Sequence, residues 1–349
     1  MKTRVEQQQS VAVSMLLQFI AAGLSLFVLT AIFVQTVNRI PYEVHKADFQ
    51  ETTPAMRQAM GKYPFNLSVG LTINDFPLFN MKDGQFVVDV SLFFVFDPLL
   101  ITIERIGDFV FLNSEVLIKS QPFVKMVGSQ LFVRYDLRLR FDFDLYYKRF
   151  PFEGHQLFFV LTHPHLTPSE VVYITTRTNY SINPEIVIPG WDLVDYLVAT
   201  GFSENVLSVT KEEKMFSFHS PSAAFSMNFM RVGVRQSLTI FIPLLLLFLI
   251  AVFTLSFDPF EGLYNIGIGL SAAVVTALIG YRFVIESMSP KVGNLILSDF
   301  IFLVVLGVCC VIFLINVFSE TISQKIKKGV VVLSHAIVVG TVWYYFILF

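Results

Sequence analysis

Charge and cysteine are both scarce in this sequence. Acidic and basic residues together make up 15% of the chain and nearly cancel, leaving a formal net charge of -2. That balance excludes the basic surplus needed to neutralise many phosphates, so nucleic acid is not expected as a partner. The two cysteines, Cys309 and Cys310, are adjacent and lie inside an apolar run. Neighbouring cysteines are poorly placed to cross-link distant parts of a chain, and nothing else is present to build a thiolate metal site. They read as two small residues in an apolar setting. A nucleophile elbow, a His-Glu helix motif and a Gly-rich phosphate loop are also missing, so no catalytic residue, cofactor or metal centre is expected.

What abounds is apolar. Hydrophobic residues are 54% of the chain, which points to a membrane protein. Five runs carry most of them: Val11 to Val34, Leu238 to Phe257, Leu263 to Ile285, Leu295 to Phe318 and Val330 to Phe349. Each has about the 20 residues a helix needs to cross the hydrocarbon core. Lys2 and Arg4 precede the first run as they would in a signal peptide, but the run is long and lacks a small-x-small cleavage site. An uncleaved signal anchor is favoured over a cleaved signal peptide. Lys325, Lys327 and Lys328 stand between the last two runs, so by the positive-inside rule that loop and the N-terminus face the cytoplasm. The expected layout is residues 1–39 as a signal anchor or signal peptide, 40–231 as an extracytoplasmic domain and 232–349 as a helical membrane domain with its C-terminus outside.

The period changes between the first two runs. Phe65, Leu67, Val69, Leu71 and Ile73 alternate with Asn66, Ser68, Gly70, Thr72 and Asn74, and Phe86 to Phe96 alternates likewise. With Lys82-Asp83-Gly84 between them, the two segments predict a hairpin. From Val133 to Leu145 apolar residues alternate with Arg134, Asp136, Arg138, Arg140, Asp142 and Asp144, charges that a helix would scatter all round its surface. Further strands are expected at Phe158 to Leu161, Val171 to Thr175, Trp191 to Ala199 and Ala224 to Met230. Their spacing suggests an antiparallel sandwich, and a domain of this length can bury a core.

Several segments resemble pentameric ligand-gated ion channels, the superfamily of the Cys-loop receptors. Phe150-Pro151-Phe152-Glu153-Gly154-His155 is similar to the family's aromatic-proline loop; Phe109 to Ile118, with Asn113, resembles the family's strand ending in an asparagine near the first binding loop; and Pro189-Gly190-Trp191-Asp192 resembles its late tryptophan strand. Arg231 stands ahead of Pro243 much as the family places an arginine at the sandwich's end and a proline in its first channel helix. Glu286 to Asp299, with Pro290, resembles the exit from the pore helix. No cysteines flank Pro151 and the loop before the last helix is short, features of prokaryotic members.

The resemblance implies a multidomain membrane protein: an all-β immunoglobulin-like sandwich before a four-helix transmembrane channel domain, here with an extra N-terminal hydrophobic helix. It implies a homopentamer in the bilayer of a bacterial inner membrane, opened by a small-molecule or ion agonist to pass permeant ions. A non-conducting, membrane-anchored ligand sensor or assembly subunit is the alternative. On the implied pore helix, steps of three or four residues select Asn265, Gly269, Ala272 or Ala273, Thr276, Gly280, Phe283 and Ser287. Small residues there line a pore or simply permit tight helix packing, and a ring of Phe283 side chains would form a dewetting gate. Glu261 before this helix and Glu286 at its outer end favour cations, with Arg282 placed to pair with Glu286 at i, i+4.

By carried-over position, ligand-binding candidates are Phe109 and Phe111, His163 and His165, and Phe216, Phe218 and His219; aromatic faces suit cationic agonists. His163-Pro164-His165 fits a metal or proton sensor, but two histidines without a third ligand suit a solvated turn better. Asp83, Pro151, Glu153, Arg231 and Pro290 are the implied coupling residues, and an arginine fork can hold two carboxylates.

Overall fold

The computed structural model describes residues 4–37, 49–51, 64–208, 215–232, 234–257 and 264–348. The chain divides into two compact units. One comprises Tyr42–Tyr146 and Gly154–Val232, and the other Met1–Pro41, Tyr147–Glu153 and Gly233–Phe349.

The first unit is rich in sheet and sandwich-like. Its strands are β1 (Gln50–Glu51), β2 (Phe65–Asn80), β3 (Gln85–Phe96), β4 (Val110–Phe111), β5 (Ser114–Lys119), β6 (Phe123–Val127), β7 (Gln130–Asp142), β8 (Gly154–Thr162), β9 (Val171–Ile174), β10 (Tyr180–Ile182), β11 (Trp191–Ser208) and β12 (Met215–Arg231). One sheet runs β1-β11-β12-β8-β4; the other runs β10-β2-β3-β7-β5, with β6 on β7 and β9 on β2.

Alternation explains the strands that face the core. Along β3 every second residue is buried, and along β7 the buried set is Leu131, Val133, Tyr135, Leu137, Leu139 and Phe141. The other face of that pair is ionic: Arg138 donates to both oxygens of Asp89 at 2.6 and 2.7 Å, and Ser91 donates to Asp136 at 2.6 Å. The expected hairpin forms, turning at Gly84 with φ +68°, where a Cβ would lie 2.1 Å from the Phe143 carbonyl oxygen. Fully buried phenylalanines such as Phe86, Phe141, Phe159 and Phe225 join the two sheets in one core. Each such side chain stabilises by about 1.5–3 kcal/mol through burial alone.

Several sequence expectations are corrected. The charged strand spans Gln130–Asp142 rather than Val133 to Leu145, because its partner β3 begins at Gln85, which pairs with Asp142. Within Phe109 to Ile118 the chain turns at Asn113, whose φ is 54°. As a result β4 pairs with β8 in one sheet and β5 with β7 in the other. An asparagine is among the residues that tolerate this left-handed region. The sandwich is also not wholly antiparallel: β9 and β10 both pair parallel to β2, at Phe65–Ser68 and Leu71–Ile73. Finally, β11 and β12 run beyond Ala199 and Ala224 to close at Ser208 and Met215. Polar residues hide the period there, and Thr162, Ser203 and Ser222 hydrogen-bond one another in a buried hydroxyl cluster at 2.8–3.0 Å.

Among the described residues, the second unit holds five helices long and apolar enough to cross a membrane. They are α1 (Arg4–Val37), α2 (Val234–Thr254), α3 (Tyr264–Met288), α4 (Leu297–Val317) and α5 (Gln324–Trp343), the last continued by one π-helical turn, Tyr344–Leu348. In α1, Gln18, Ser25 and Ile32 are buried, spaced at two turns so that they form one face. Gln18 donates to the Val252 carbonyl at 3.0 Å, and Ser25 Oγ lies 2.9 Å from His335 Nδ1. Val252 belongs to the last turn of α2, and its carbonyl also accepts from Leu255 N at 3.1 Å, so the glutamine adds a second donor to that acceptor. Asn316 of α4 donates to Thr254 at 2.6 Å, another satisfied polar pair inside the helical unit.

Candidate functional site

Helix α3 carries two faces of different character. Gly267, Ser271, Val274, Leu278 and Ile285 are buried, at steps of three, four and seven. Asn265, Gly269, Ala273, Thr276, Gly280, Phe283 and Ser287 are all exposed in the single chain. At 3.6 residues per turn the mean directions of these two sets differ by roughly 180°. The stripe thus points directly away from the helix's own packing.

Two observations separate the faces chemically. A Cβ on Gly267 would meet the Phe257 ring at 3.2 Å, whereas one on Gly269 or Gly280 would meet nothing within 4 Å. Glycine inside a helix costs about 0.5–1 kcal/mol relative to alanine. Among the described residues, no close neighbour at Gly269 or Gly280 accounts for that cost. The hydroxyls of Thr276 and Ser287 are satisfied locally, donating to Ala272 O at 3.0 Å and Val284 O at 2.7 Å. Phe283 is the largest apolar side chain of the stripe and is 71% exposed.

At the helix's C-terminal end, Glu286 is exposed. The i, i+4 pairing expected for Arg282 is not formed. Its guanidinium instead meets the carboxylate of Asp299 at the start of α4 and lies 5.6 Å from the centroid of the Phe302 ring. Asp299 is held in place by accepting from Ile296 N at 3.1 Å. A helical i, i+4 pair at a wet surface gains about 0.2–0.5 kcal/mol, and Asp299 outcompetes it because its side chain is only 10% exposed. Glu261 lies outside the described residues. Pro290, in the linker after α3, is buried, and its carbonyl accepts from Val292 N at 3.0 Å.

The proline loop belongs to the helical unit. Phe150-Pro151 is a cis peptide, Phe150 and Glu153 are buried, and the Lys148 carbonyl accepts from Leu297 N at 3.0 Å. Phe152 stacks on Phe241 with centroids 6.0 Å apart, and meets Phe33 and Phe346 edge-on at 5.6 and 5.1 Å. This aromatic clasp reaches α1, α2 and the C-terminal turn.

Within the sheet unit, Arg231 ends β12 with its guanidinium 4.5 Å from the centroid of the Trp191 ring. Asp83 accepts from Asn80 Nδ2 at 2.9 Å inside its own turn. Phe109 and Phe111 are buried core rings, packed on Tyr135 and Phe141 at 5.2 and 6.3 Å, and neither is open to solvent in the single chain. Lys119 Nζ sits 4.2 Å from the Phe109 centroid and donates to the Gly107 carbonyl at 2.5 Å, with its pKa lowered by burial.

His163 is fully buried. Its Nδ1 accepts from His165 N at 3.2 Å, which makes Nε2 the protonated nitrogen donating to the Arg105 carbonyl at 2.7 Å. Burial holds its pKa below the ordinary histidine value. His165 is exposed, and among the described residues no group of three or more His, Cys, Asp or Glu could hold a metal. His219 is exposed on β12 opposite Glu204. Phe216 and Phe218 pair by backbone with Leu207 and Asn205, and their side chains lie outside the described residues.

The polar groups that sequence reasoning passed over are Gln18, Ser25, Thr254, Asn316 and His335. Each interrupts an apolar run, which was the available signal. No family model matches the chain, and no curated protein matches it.

Proposed function

We propose that the chain is one subunit of a ligand-gated membrane channel of the pentameric, cysteine-loop-free kind, with an immunoglobulin-like extracytoplasmic sandwich ahead of a four-helix channel domain. The observation that carries this reading is the α3 stripe. A Cβ on its glycines would meet nothing within 4 Å among the described residues, and the hydroxyls of Thr276 and Ser287 donate to carbonyls of their own helix. Opposite it lie the buried residues Gly267, Ser271, Val274, Leu278 and Ile285. Such a face suits close approach of identical helices around water, with Phe283 as a dewetting ring. Glu286, exposed at the end of α3, favours cation entry. Arg231 stands one residue before the joint at Val232, where the sheet unit ends, and is the residue through which ligand binding would be coupled to the gate.

The test is conductance of the purified protein in planar bilayers, joined to cysteine accessibility. In a background with Cys309 and Cys310 replaced by serine, Thr276→Cys and Gly280→Cys should react with a water-soluble thiol reagent and block current, while Ser271→Cys stays inert. Native mass spectrometry should give five subunits. Absence of current from a correctly assembled pentamer would favour the non-conducting sensor; a stable monomer, or labelling of Ser271→Cys as fast as Thr276→Cys, would sink both the pore face and the assembly.

A further inference from the structure

A hollow of about 400 Å³ lies in the sheet unit, separate from every candidate position above except Trp191. Its walls come from both sheets: Tyr180 of β10 on one side, Trp191 and Tyr196 of β11 and Phe229 of β12 on the other. The connection from Asn183 to Gly190 closes it, contributing Ile188 among others. Ligand pockets for small molecules run from about 300 to 1,000 Å³, so the hollow is large enough for one or two rings.

The walls are built and held. Asn183 is pinned to β2 twice, its backbone N donating to Ile73 O at 2.9 Å and its Nδ2 to Asn74 O at 3.1 Å. The far end is fixed by Trp191 N on Ile188 O at 3.1 Å and Val232 N on Gly190 O at 2.9 Å. Tyr180 meets Tyr196 edge-on at 5.4 Å. Arg177, ion-paired to Asp195 at 2.9 Å, lies 4.8 Å from the Tyr196 centroid, as Arg231 lies 4.5 Å from that of Trp191. Each ring therefore carries a guanidinium over one face.

The chemistry of the lining selects the occupant. No Asp, Glu, Lys, Arg or His is among the described residues that line the hollow, so a charged guest would be desolvated without a counter-ion. Aromatic walls favour a planar apolar body. We infer that this hollow binds a small, uncharged, ring-bearing molecule. Two features point there together: the aromatic walls and the lack of ionisable lining residues.

The inference is independent of the channel reading and needs no current to test. The chain has two tryptophans, so Trp343→Phe leaves Trp191 as the sole indole reporter. Benzyl alcohol, benzoate and benzylammonium share one size and differ in charge. Titration of benzyl alcohol should change Trp191 emission saturably, and the two ions should bind at least about tenfold more weakly. Ile188→Phe, which fills the hollow from its exposed connection, should abolish the response. A non-saturating signal, equal response to all three probes, or undiminished binding in a folded Ile188→Phe protein would overturn the proposal.

Discussion

Replacing Asp299 by asparagine tests how the end of α3 is fastened to the start of α4. The substitution keeps the side chain's shape and its acceptor for Ile296 N, and removes only the charge facing Arg282. Breaking one side of a fully buried ion pair costs about 3–5 kcal/mol, whereas a surface pair is worth about 0–1. Here the acid is 10% and the arginine 35% exposed, so solvent screens part of the loss. A destabilisation of about 2–3 kcal/mol is expected by interpolating between those two limits.

Equilibrium unfolding by sodium dodecyl sulfate in mixed micelles would measure it. Arg282→Gln should cost about as much, because it strands the carboxylate instead. The double variant should be less destabilised than the sum of the singles, with a coupling of about 1–3 kcal/mol. Arg282→Lys should fall between, keeping the charge but losing the planar fork and its approach to Phe302. If Asp299→Asn costs less than about 0.5 kcal/mol, or if the two single effects simply add, the pair does not fasten the helices.

His163 makes stability depend on pH. Its folded pKa is depressed by burial, so in the window below the ordinary value of about 6.5 the unfolded chain binds more protons and stability falls as pH drops, levelling off beneath the folded pKa. Stability measured by denaturant titration should lose that slope in His163→Gln. Gly84→Ala should destabilise the sheet unit by about 1–3 kcal/mol, since it forces a Cβ into left-handed backbone against the Phe143 carbonyl; a change within 0.5 kcal/mol by denaturant titration would show that the turn can relax. Gln18→Leu and Ser25→Ala should each weaken the docking of α1 by about 0.6–1.7 kcal/mol, read in mixed-micelle unfolding.

Much of the sheet unit was legible because burial and alternation coincide. Strands β3 and β7 expose one face and bury the other, so the period of two survives in their residues. It failed where both faces are buried or polar. In β12, Ser220, Ser222 and Ser226 are buried among apolar neighbours, and the side-chain partners of Ser222, Thr162 and Ser203, come from other strands. Parallel pairing of β9 and β10 to β2 was not legible either, because a strand's own residues carry no mark of its partner's direction. Of the candidate site, the exposed stripe of α3 was read as a spacing of small residues, while the pairing of Arg282 was misassigned to its nearest helical neighbour. Local spacing favours Glu286; desolvation, visible only in three dimensions, favours Asp299.

The apolar runs hid a second layer of information. Gln18, Ser25, Asn316 and His335 each look like an isolated lapse in a helix that otherwise suits lipid, yet each finds a partner on another helix of the same unit. A polar side chain inside hydrocarbon has to be satisfied internally, so these residues specify which helices meet. The same reasoning applied to α3 gives the opposite result. Thr276 and Ser287 donate to carbonyls of their own helix, and a Cβ on Gly269 or Gly280 would meet nothing within 4 Å among the described residues. The exposed face of α3 therefore leaves room that no described helix of its own chain fills. On the channel reading that is the expected condition of a pore face: its small side chains are matched to copies of itself and to water.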